Sequence, residues 1–376
     1  MSHIEAFAPG RTELAGNHTD HQGGRVIAAT LDCGIRLELH PNGTRTARVE
    51  SAGFASFELC LDDLEPKPAE RFSTTALVRG VLSGMADAGV ALSGFSARAS
   101  SAIPAGGGLS SSAAFELGLG QALNVAFADG ALEPVQLARI GRAAEHGWFG
   151  KPCGLMDQLS IALGGISLMD FADGQCAASS IDFDFEAAGL TLLLVDTRCD
   201  HSAYTEEYAQ VARDMDVVAG YLGARVLSQV PEDRFLSRFE DVRADLGDLP
   251  ALRGLHYYHE MALVDERACA LQEGDVKAFL DAARRSGASS AQYLQNVSTA
   301  DHVRQPAMVA LALADRFAGP GAAVRIHGGG FGGTVQAFVP VERADDFAAQ
   351  MDDHLGAGAC RRYRITNQGA HASWVG

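Results

Sequence analysis

The chain has 376 residues, of which 47% are hydrophobic and 20% charged, and its formal net charge is −17. This composition is typical of a globular protein with room for two domains, and the negative charge argues against nucleic acid or an anionic membrane as the main partner. The seven cysteines form no CxxC pair, which favours free thiols in a cytoplasmic protein over a disulfide framework or a zinc ribbon.

The N-terminal half mixes strand and helix patterns. Alternating apolar and β-branched residues predict strands over 24–40, 47–53, 56–64 and 94–103. Apolar residues at helical spacing predict helices over 72–89, from about 111 onward, over 133–150 and over 155–165. No stretch reaches 18 consecutive apolar residues, so we expect no membrane-spanning helix.

The C-terminal half is mostly helical, and a domain boundary is expected near 175–195. Helices are predicted over 204–228, 256–273, 275–286, 300–317 and 342–355. Strands are predicted over 181–189, 190–198, 322–330, 334–340 and 361–366.

The stretch "IPAGGGLSSSAAFELGLG" (103–120), hereafter the glycine-serine segment, places three glycines against three serines at the start of a predicted helix. Glycine lets backbone N–H groups approach a ligand closely. A helix N-terminus adds free N–H donors and the positive end of its dipole, which together favour an anion. The alternative is a surface turn followed by a serine N-cap.

Two other glycine-rich stretches partly match nucleotide-binding motifs, but each lacks a feature that the motif requires. "GGGFGG" (328–333) fits G-x-G-x-x-G, but a strand-like stretch follows it where a dinucleotide-binding loop requires a helix. We therefore expect it to connect paired strands. The pair Gly150-Lys151 is followed by Pro152 and does not complete a Walker loop.

Two further stretches carry acids and imidazoles between glycines. In "GRTELAGNHTDHQGG" (10–24), His18, Asp20 and His21 could ligate a metal, form a polar loop, or bind sugar hydroxyls. "EHGWFGKPCGLMDQLSIALGG" (145–165) holds Glu145 and Asp157 on either side of a glycine-proline break. Asp157 begins an apolar helix, where a carboxylate could serve only as a cap.

Together these stretches resemble the GHMP small-molecule kinases, and among them the galactokinase group. "APGRTELAGNHTDHQGG" (8–24) is similar to the galactokinase signature, and "PAGGGLSSSA" (104–113) to the phosphate loop of the family. "CGLMDQLSIALGG" (153–165) is similar to the segment with the catalytic aspartate, and "HGGGFGGTVQAF" (327–338) to the third glycine-rich motif. The resemblance spans most of the chain.

The resemblance implies an α+β fold of two domains, 1–185 and 186–376. The first would be like ribosomal protein S5 and the second ferredoxin-like, with the active site in the cleft between them. It implies ATP and a small-molecule sugar as ligands, Mg²⁺ as cofactor, and a monomer or weak homo-oligomer.

The resemblance also implies roles for individual residues. Asp157 would be the base and Arg11 would stabilise charge at the reacting centre. Ser112 and Glu145 would hold Mg²⁺. The ATP phosphates would lie against Gly106, Gly107, Gly108, Leu109, Ser110, Ser111 and Ser112. The sugar would lie against Asn17, His18, Asp20 and Tyr208.

The sugar loop departs from the family pattern. Asn17 stands where the family has glutamate, giving a variant Asn-His-Thr-Asp-His loop, and 286–298 departs as well. Phosphorylation of the anomeric hydroxyl of galactose is the expected reaction. A kinase of another sugar (an N-acetylhexosamine, a pentose or a uronic acid) and a sugar-sensing regulator without turnover are the alternatives.

Overall fold

The chain folds into two β-sheets with helices packed against them. The computed structural model describes residues 2–53, 55–104, 107–151, 153–172, 174, 176–199, 204–301 and 303–376. Within these ranges the strands are β1 (His3–Ala15), β2 (Arg25–Pro41), β3 (Thr46–Ser51), β4 (Phe57–Cys60), β5 (Phe95–Ser101), β6 (Ile166–Asp170), β7 (Ala177–Ile181), β8 (Leu190–Asp196), β9 (Ala323–Ile326), β10 (Thr334–Pro340), β11 (Cys360–Tyr363) and β12 (His371–Val375).

The helices pack against the first sheet and against both faces of the second sheet. They are α1 (Thr74–Asp87), α2 (Ser111–Ala128), α3 (Pro134–Ala143), α4 (Met156–Leu163), α5 (Thr205–Tyr221), α6 (Glu232–Ser237), α7 (Phe239–Leu246), α8 (Asp248–Glu273), α9 (Val276–Ser289), α10 (Pro306–Ala318) and α11 (Ala344–Leu355). Two π-helical turns, Ala144–Phe149 and Ser290–Leu294, follow α3 and α9. In the described ranges, no helix has the length and apolar character needed to cross a bilayer.

The first sheet carries the N-terminal motifs. Its strand order is β12-β1-β2-β5-β3-β4, with β6 paired to β2 and β7 to β6. Every pair is antiparallel except β3 with β5. Helices α2 and α4 pack on β1 and β2, and buried side chains such as Ile27, Leu37 and Leu117 form the core between them. This packing fixes the N-terminal end of α2 beside β1.

The second sheet has the order β11-β8-β10-β9, with all of its pairs antiparallel. Its hydrophobic strands bury Val195 and Val335 against Phe347 and Met351 of α11. A third cluster, around Phe235, joins α5, α6 and α8. The glycine-rich stretch 328–333 connects the antiparallel pair β9 and β10, which confirms the prediction that it joins paired strands and is not a dinucleotide-binding loop.

Most predicted elements are confirmed, and several differ or were not predicted. The strand expected over 181–189 ends at Ile181, because the Asp184 Oδ1 atom accepts the Ala187 N–H at 3.0 Å and turns the chain. Helix α8 begins at Asp248, earlier than predicted, because a proline is tolerated in a first turn. The strands β1 and β6 and the short helices α6 and α7 were not predicted.

The last strand, β12, was not predicted either. It pairs with β1, with Ile4 opposite Trp374. The chain therefore returns to the first sheet after the second sheet is complete. The division into 1–185 and 186–376 stays a prediction.

Candidate active site

The candidate active site is a cleft formed by two neighbouring cavities of about 250 and 80 Å³. The larger cavity lies against the glycine-serine segment and the loop between β9 and β10. The smaller cavity lies against the segment after β1 and the start of α4. Both are lined by Arg11, Lys151, Asp157, Tyr208, Gly328 and Gly329. The two cavities therefore meet at the predicted base and the predicted charge-stabilising arginine.

Arg11 and Asp157 form an ion pair at this meeting point. Arg11 lies on β1 and is 7% exposed. Its Nε donates to the Asp157 Oδ1 atom at 2.7 Å, and its Nη1 donates to the Gly108 carbonyl at 2.7 Å. Burial alone would raise the pKa of Asp157, but the Arg11 charge and the hydrogen bonds from Arg11 and Ser110 hold that pKa below its ordinary value. Asp157 is therefore ionised at neutral pH.

The capping alternatives for Asp157 and for the serines do not fit this geometry. The carboxylate oxygens of Asp157 accept from Arg11 Nε and from Ser110 Oγ. Ser110 directly precedes α2, but its φ is +58° and its side chain caps no helix N–H. The first turn of α2 therefore has no side-chain cap from Ser110, and its residues Ser111 and Ser112 line the larger cavity.

The predicted phosphate-binding residues surround the larger cavity. Its lining includes Gly107, Gly108, Leu109, Ser110, Ser111 and Ser112, whereas Gly106 lies outside the described residues. Gly108 has a φ of +66°, which favours glycine and directs its carbonyl to Arg11. A glycine turn that leads into a helix N-terminus is suited to phosphate oxygens.

Ser112, which lines this cavity, and Glu145, behind it, form a pair of neighbouring oxygen donors. The Ser112 hydroxyl donates to the Glu145 Oε1 atom at 2.9 Å, and Glu145 is 1% exposed. Glu145 lies in the π-helical turn after α3, which places its carboxylate beside the first turn of α2. Carboxylate and hydroxyl oxygens are the hard donors that Mg²⁺ prefers. The residues present therefore fit the predicted cation.

Three residues near this pair were missed by the sequence reasoning. Lys151 Nζ is 3.2 Å from Glu145 Oε1 and lines both cavities. Gln158 Nε2 donates to Glu145 Oε2 at 2.8 Å and to Glu116 Oε2 at 3.1 Å. Burial, and then the charge of Glu145, raise the pKa of Glu116 well above its ordinary value. The amide of Gln158 thus fixes the orientation of the Glu145 carboxylate.

The predicted sugar residues line the smaller cavity together. Its lining includes Asn17, His18, Asp20 and Tyr208 beside Asp157. Burial, and then the charge of Asp157, raise the pKa of Asp20 to about 6. The Tyr208 ring, on α5, lies 5.1 Å from the His18 ring. A carboxylate, an imidazole and a phenol around a small polar cavity suit a ligand with several hydroxyls.

The zinc alternative for His18, Asp20 and His21 has no support in the structure. His18 Nδ1 is 3.3 Å from His21 Nε2, and His18 Nε2 is 3.1 Å from the Gly329 carbonyl. Burial, and then His21, lower the pKa of His18 to about 3, so its ring is neutral. Both ring nitrogens of His18 are thus used by the protein.

Asn17 is fully buried and all its side-chain hydrogen-bonding capacity is used. Its Nδ2 donates to Gly328 O at 2.5 Å and to Glu13 Oε2 at 3.3 Å. Its Oδ1 accepts from Asn296 Nδ2 at 2.9 Å and from Ser290 Oγ at 3.3 Å. Asn17 therefore connects the sugar loop to the glycine loop after β9 and to the segment after α9.

The glycine loop 328–333 closes the cleft opposite α4. A Cβ atom on Gly329 would lie 2.2 Å from the Tyr208 ring, so only glycine lets that ring approach. At the start of the loop, His327 Nε2 is 3.0 Å from Thr12 Oγ1 and its Nδ1 is 2.7 Å from Thr334 Oγ1. Burial lowers the pKa of His327 well below its ordinary value. A neutral imidazole thus joins the second sheet to β1.

Comparisons with known proteins agree with this geometry. Residues 76–165 match the GHMP kinases N terminal domain, and residues 2–41 match the galactokinase galactose-binding signature. The galactokinase of Streptomyces coelicolor is 32% identical over 363 residues, which cover 95% of this chain and 90% of that protein. The chain belongs to the galactokinase family. The predicted family is thereby confirmed.

Other galactokinases and related structures extend the likeness. This galactokinase-family chain is 27% identical to the galactokinase of Actinobacillus pleuropneumoniae, over 93% of this chain and 88% of that protein. A galactokinase structure from Lactococcus lactis, complexed with galactose, has a TM-score of 0.81 at 21% identity and covers 99% of this chain and 95% of that one. A mevalonate kinase structure has a TM-score of 0.69 at 17% identity, over 97% and 99% of the two chains. These likenesses confirm the predicted α+β fold of the GHMP kinases.

Proposed function

We propose that the chain transfers the γ-phosphoryl group of ATP to the anomeric hydroxyl of galactose and so makes α-D-galactose 1-phosphate. One observation carries this proposal: the Asp157 carboxylate lies where the two cavities meet, and Arg11 holds it there. Membership of the galactokinase family supports the reaction. The galactose in the Lactococcus lactis complex supports the choice of sugar.

The larger cavity would hold the nucleotide. Its glycine turn and the first turn of α2, which has no side-chain cap, line the same space, and such an arrangement binds phosphate oxygens without a Walker lysine. Lys151, which lines this cavity, adds a positive charge. Ser112 and Glu145 would hold Mg²⁺, which when bound supplies positive charge next to the phosphate oxygens.

The smaller cavity would hold the sugar, with its anomeric hydroxyl beside Asp157. The sugar O1 atom forms a bond to the γ-phosphorus, the bond from that phosphorus to the β-phosphate oxygen breaks, and ADP leaves. The O1 proton passes to the Asp157 carboxylate. Because the pKa of Asp157 is low, proton transfer is favourable only as O1 becomes acidic during bond formation. Arg11 orients this carboxylate and offsets charge that develops beside it.

Asp20 and Tyr208 would bind the other sugar hydroxyls, and the His18 ring, whose two nitrogens are used by the protein, would contact the sugar by packing beside Tyr208. Asp20 can accept hydrogen bonds from hydroxyls, and the Tyr208 ring forms one wall. Asn17 would act through Gly328, because its side-chain polar atoms are used inside the protein. We thus propose sugar contacts for the residues of the smaller cavity and nucleotide contacts for those of the larger cavity.

A kinase of another sugar is the second candidate, and Asn17 is the observation that favours it. An amide at this position offers a donor where the family has only an acceptor, which changes the fit of the loop around the sugar. A regulator without turnover is not favoured, because Arg11, Ser112, Glu145 and Asp157 are all present and in contact as catalysis requires.

The test is an assay of ATP-dependent phosphorylation with a panel of sugars. Galactose, glucose, N-acetylgalactosamine, arabinose and galacturonic acid would each be supplied with ATP and Mg²⁺, and the anomeric configuration of the product would be determined by NMR. We expect the highest kcat/KM for galactose, with the phosphate on the α-anomeric oxygen. A preference for another sugar would select the second candidate, and no product with any sugar would contradict both.

The cysteines bear on where in the cell the protein acts. All seven cysteines are free thiols, which agrees with a reducing cytoplasm. We propose a monomer or weak homo-oligomer that binds the sugar and ATP, with neither nucleic acid nor membrane as a partner.

A further inference from the structure

Four side chains with metal-binding groups form a block on the exposed face of the first sheet. Strand β1 carries His3 and Glu5, and β2 carries Glu38 and His40. Glu5 lies opposite Glu38 and Ile4 opposite Leu39, so the antiparallel register places His3 opposite His40. Alternate residues of a strand share one face, and all four side chains therefore lie on the same side of the sheet.

The ligand atoms of this block already lie near one another. One ligand atom from each of His3, Glu38 and His40 lies within 4.8 Å of the others. The two imidazole rings stack with centroids 5.0 Å apart and 23° between their planes. His40 Nε2 is 2.7 Å from Glu38 Oε1, and His3 Nε2 is 3.6 Å from Glu5 Oε1. Around a tetrahedral zinc ion, ligand atoms lie about 3.3 Å apart, so small side-chain rotations suffice.

We propose that His3, Glu38 and His40, with Glu5 as a fourth ligand, bind a divalent transition-metal ion such as Zn²⁺. Two imidazoles and two carboxylates are a donor set that zinc accepts, whereas Mg²⁺ prefers oxygen ligands and water. Within the described residues, this is the one group of three or more histidine, cysteine or acidic side chains with such spacing.

The surroundings leave the four side chains accessible to an ion. Their exposed fractions run from 20% for His3 to 64% for Glu5. Three arginines lie on this side of the sheet: Arg36, whose guanidinium lies over the Phe7 ring, Arg48, which pairs with Glu50 at 3.0 Å, and Arg98, which lies opposite Glu38 on β5 and pairs with Glu50 at 3.4 Å. The net charge of −17 adds a long-range attraction for cations.

This site is separate from the phosphoryl-transfer site. His3 and Arg11 both lie on β1, eight residues apart, which corresponds to about 25 Å along a strand. A metal bound by His3 and His40 would fasten the start of β1 to the end of β2. Its expected effect is therefore on the stability of the folded chain, because a ligand that binds only the folded state stabilises it.

The experiment is titration of the full chain with Zn²⁺ by calorimetry, without a histidine tag, without nucleotide and in excess Mg²⁺. His3→Gln, Glu38→Gln and His40→Gln each remove one ligand from an exposed position, and His354→Gln, on the exposed end of α11, is the matched control. We expect one zinc ion per chain and a rise in Tm with zinc. Each ligand variant should weaken binding at least about tenfold, since loss of even a hydrogen-bonded neighbour of a ligand costs that much, and the control should leave binding unchanged.

A second measurement separates this site from the free thiols and from the active site. Co²⁺ bound at the proposed site should give ligand-field absorption without a thiolate charge-transfer band. The proposal is overturned if the wild-type chain binds no zinc, or if the three ligand variants bind it as tightly as the wild-type chain does. A thiolate band that survives in His40→Gln would place the metal on cysteine and would equally overturn it.

Discussion

The Asn17 side-chain oxygen accepts a hydrogen bond from the Asn296 amide at 2.9 Å, although 279 positions separate the two residues. Both residues lie in segments that depart from the pattern of the galactokinase family. Asn17 replaces the usual glutamate, and Asn296 follows the π-helical turn Ser290–Leu294. The two departures therefore form one contact, in which the Asn296 amide group donates to the Asn17 side-chain oxygen.

This contact predicts that Asn17 and Asn296 are energetically coupled. Asn17→Glu removes the donor to the Gly328 carbonyl and places a second carboxylate beside Glu13. Each buried polar group left without a partner costs about 1–3 kcal/mol. We expect Asn17→Glu to change the ranking of the sugars by kcat/KM while ATP affinity stays nearly constant. Steady-state kinetics with the sugar panel would measure this.

A double-mutant cycle supplies the control for that prediction. Asn17→Glu combined with Asn296→Ala should lower the free energy of unfolding by less than the sum of the two single changes. Residues in contact couple by about 0.5–3 kcal/mol. Additive losses together with an unchanged ranking of sugars would show that this pair has no part in specificity.

Ser112→Ala should make turnover much less responsive to Mg²⁺. The variant loses the hydroxyl that donates to Glu145 at 2.9 Å, and with it one of two proposed metal ligands. We expect weaker Mg²⁺-dependent nucleotide binding, measured by calorimetry, and little change in sugar affinity. Ser111→Ala is the matched comparison in the same helical turn. Equal Mg²⁺ dependence in the wild-type chain and Ser112→Ala would show that this serine is not a ligand.

Sugar affinity should fall as the pH decreases through about 6. The pKa of Asp20 is raised to about 6, so below that pH the carboxyl gains a proton and loses capacity to accept from hydroxyls. The pKa of Asp157 is shifted the other way, so of these two carboxylates in the cleft Asp20 gains its proton first on acidification. The pH profile of KM for the sugar would show this, and Asp20→Asn should flatten it at a weaker affinity. If the pH profile of KM for the sugar is the same in Asp20→Asn as in the wild-type chain, a group other than Asp20 titrates.

Arg11→Gln should raise the pH at which activity is lost on acidification. Without the guanidinium, burial raises the pKa of Asp157 with little opposition. We expect the acid limb of the kcat profile to shift to higher pH, with a rate lower by about 100-fold or more because a charge-stabilising group is lost. Arg45→Gln, at an exposed ion pair remote from the cleft, is the control. A lower rate with an unshifted acid limb would mean that Arg11 does not set the pKa of Asp157.

Local patterns predicted the helix that begins after the glycine-serine segment and most other elements, whereas the role of Asp157 as the base was implied only by the resemblance to the GHMP kinases. Glycine next to a helix start has a local physical meaning, so the start of α2 could be predicted from residues 103–120, and the role of its first turn in phosphate binding stays a prediction. The strand that follows the glycine loop also has a local signal, in the alternation of β10. These patterns could not predict which distant segments are in contact in the folded chain.

The contacts that complete the site depend on tertiary structure. Lys151 was set aside because Pro152 breaks the Walker pattern, yet its amine lies 3.2 Å from Glu145. Gln158 has no signal of its own, and its two acceptors come from α2 and from the π-helical turn. The pairing of β12 with β1 joins the two ends of the chain. Sequence spacing carries no information on such distant pairs.

The most direct test of the account is the turnover of Asp157→Asn with galactose and ATP. Asparagine is nearly isosteric with aspartate and can still accept from Arg11, but it cannot take the O1 proton. We predict a loss of kcat of about 100-fold or more, with circular dichroism, Tm and ATP affinity close to the wild-type values, and no loss in the exposed control Asp87→Asn. Turnover near the wild-type value in Asp157→Asn would contradict the assignment of Asp157 as the base.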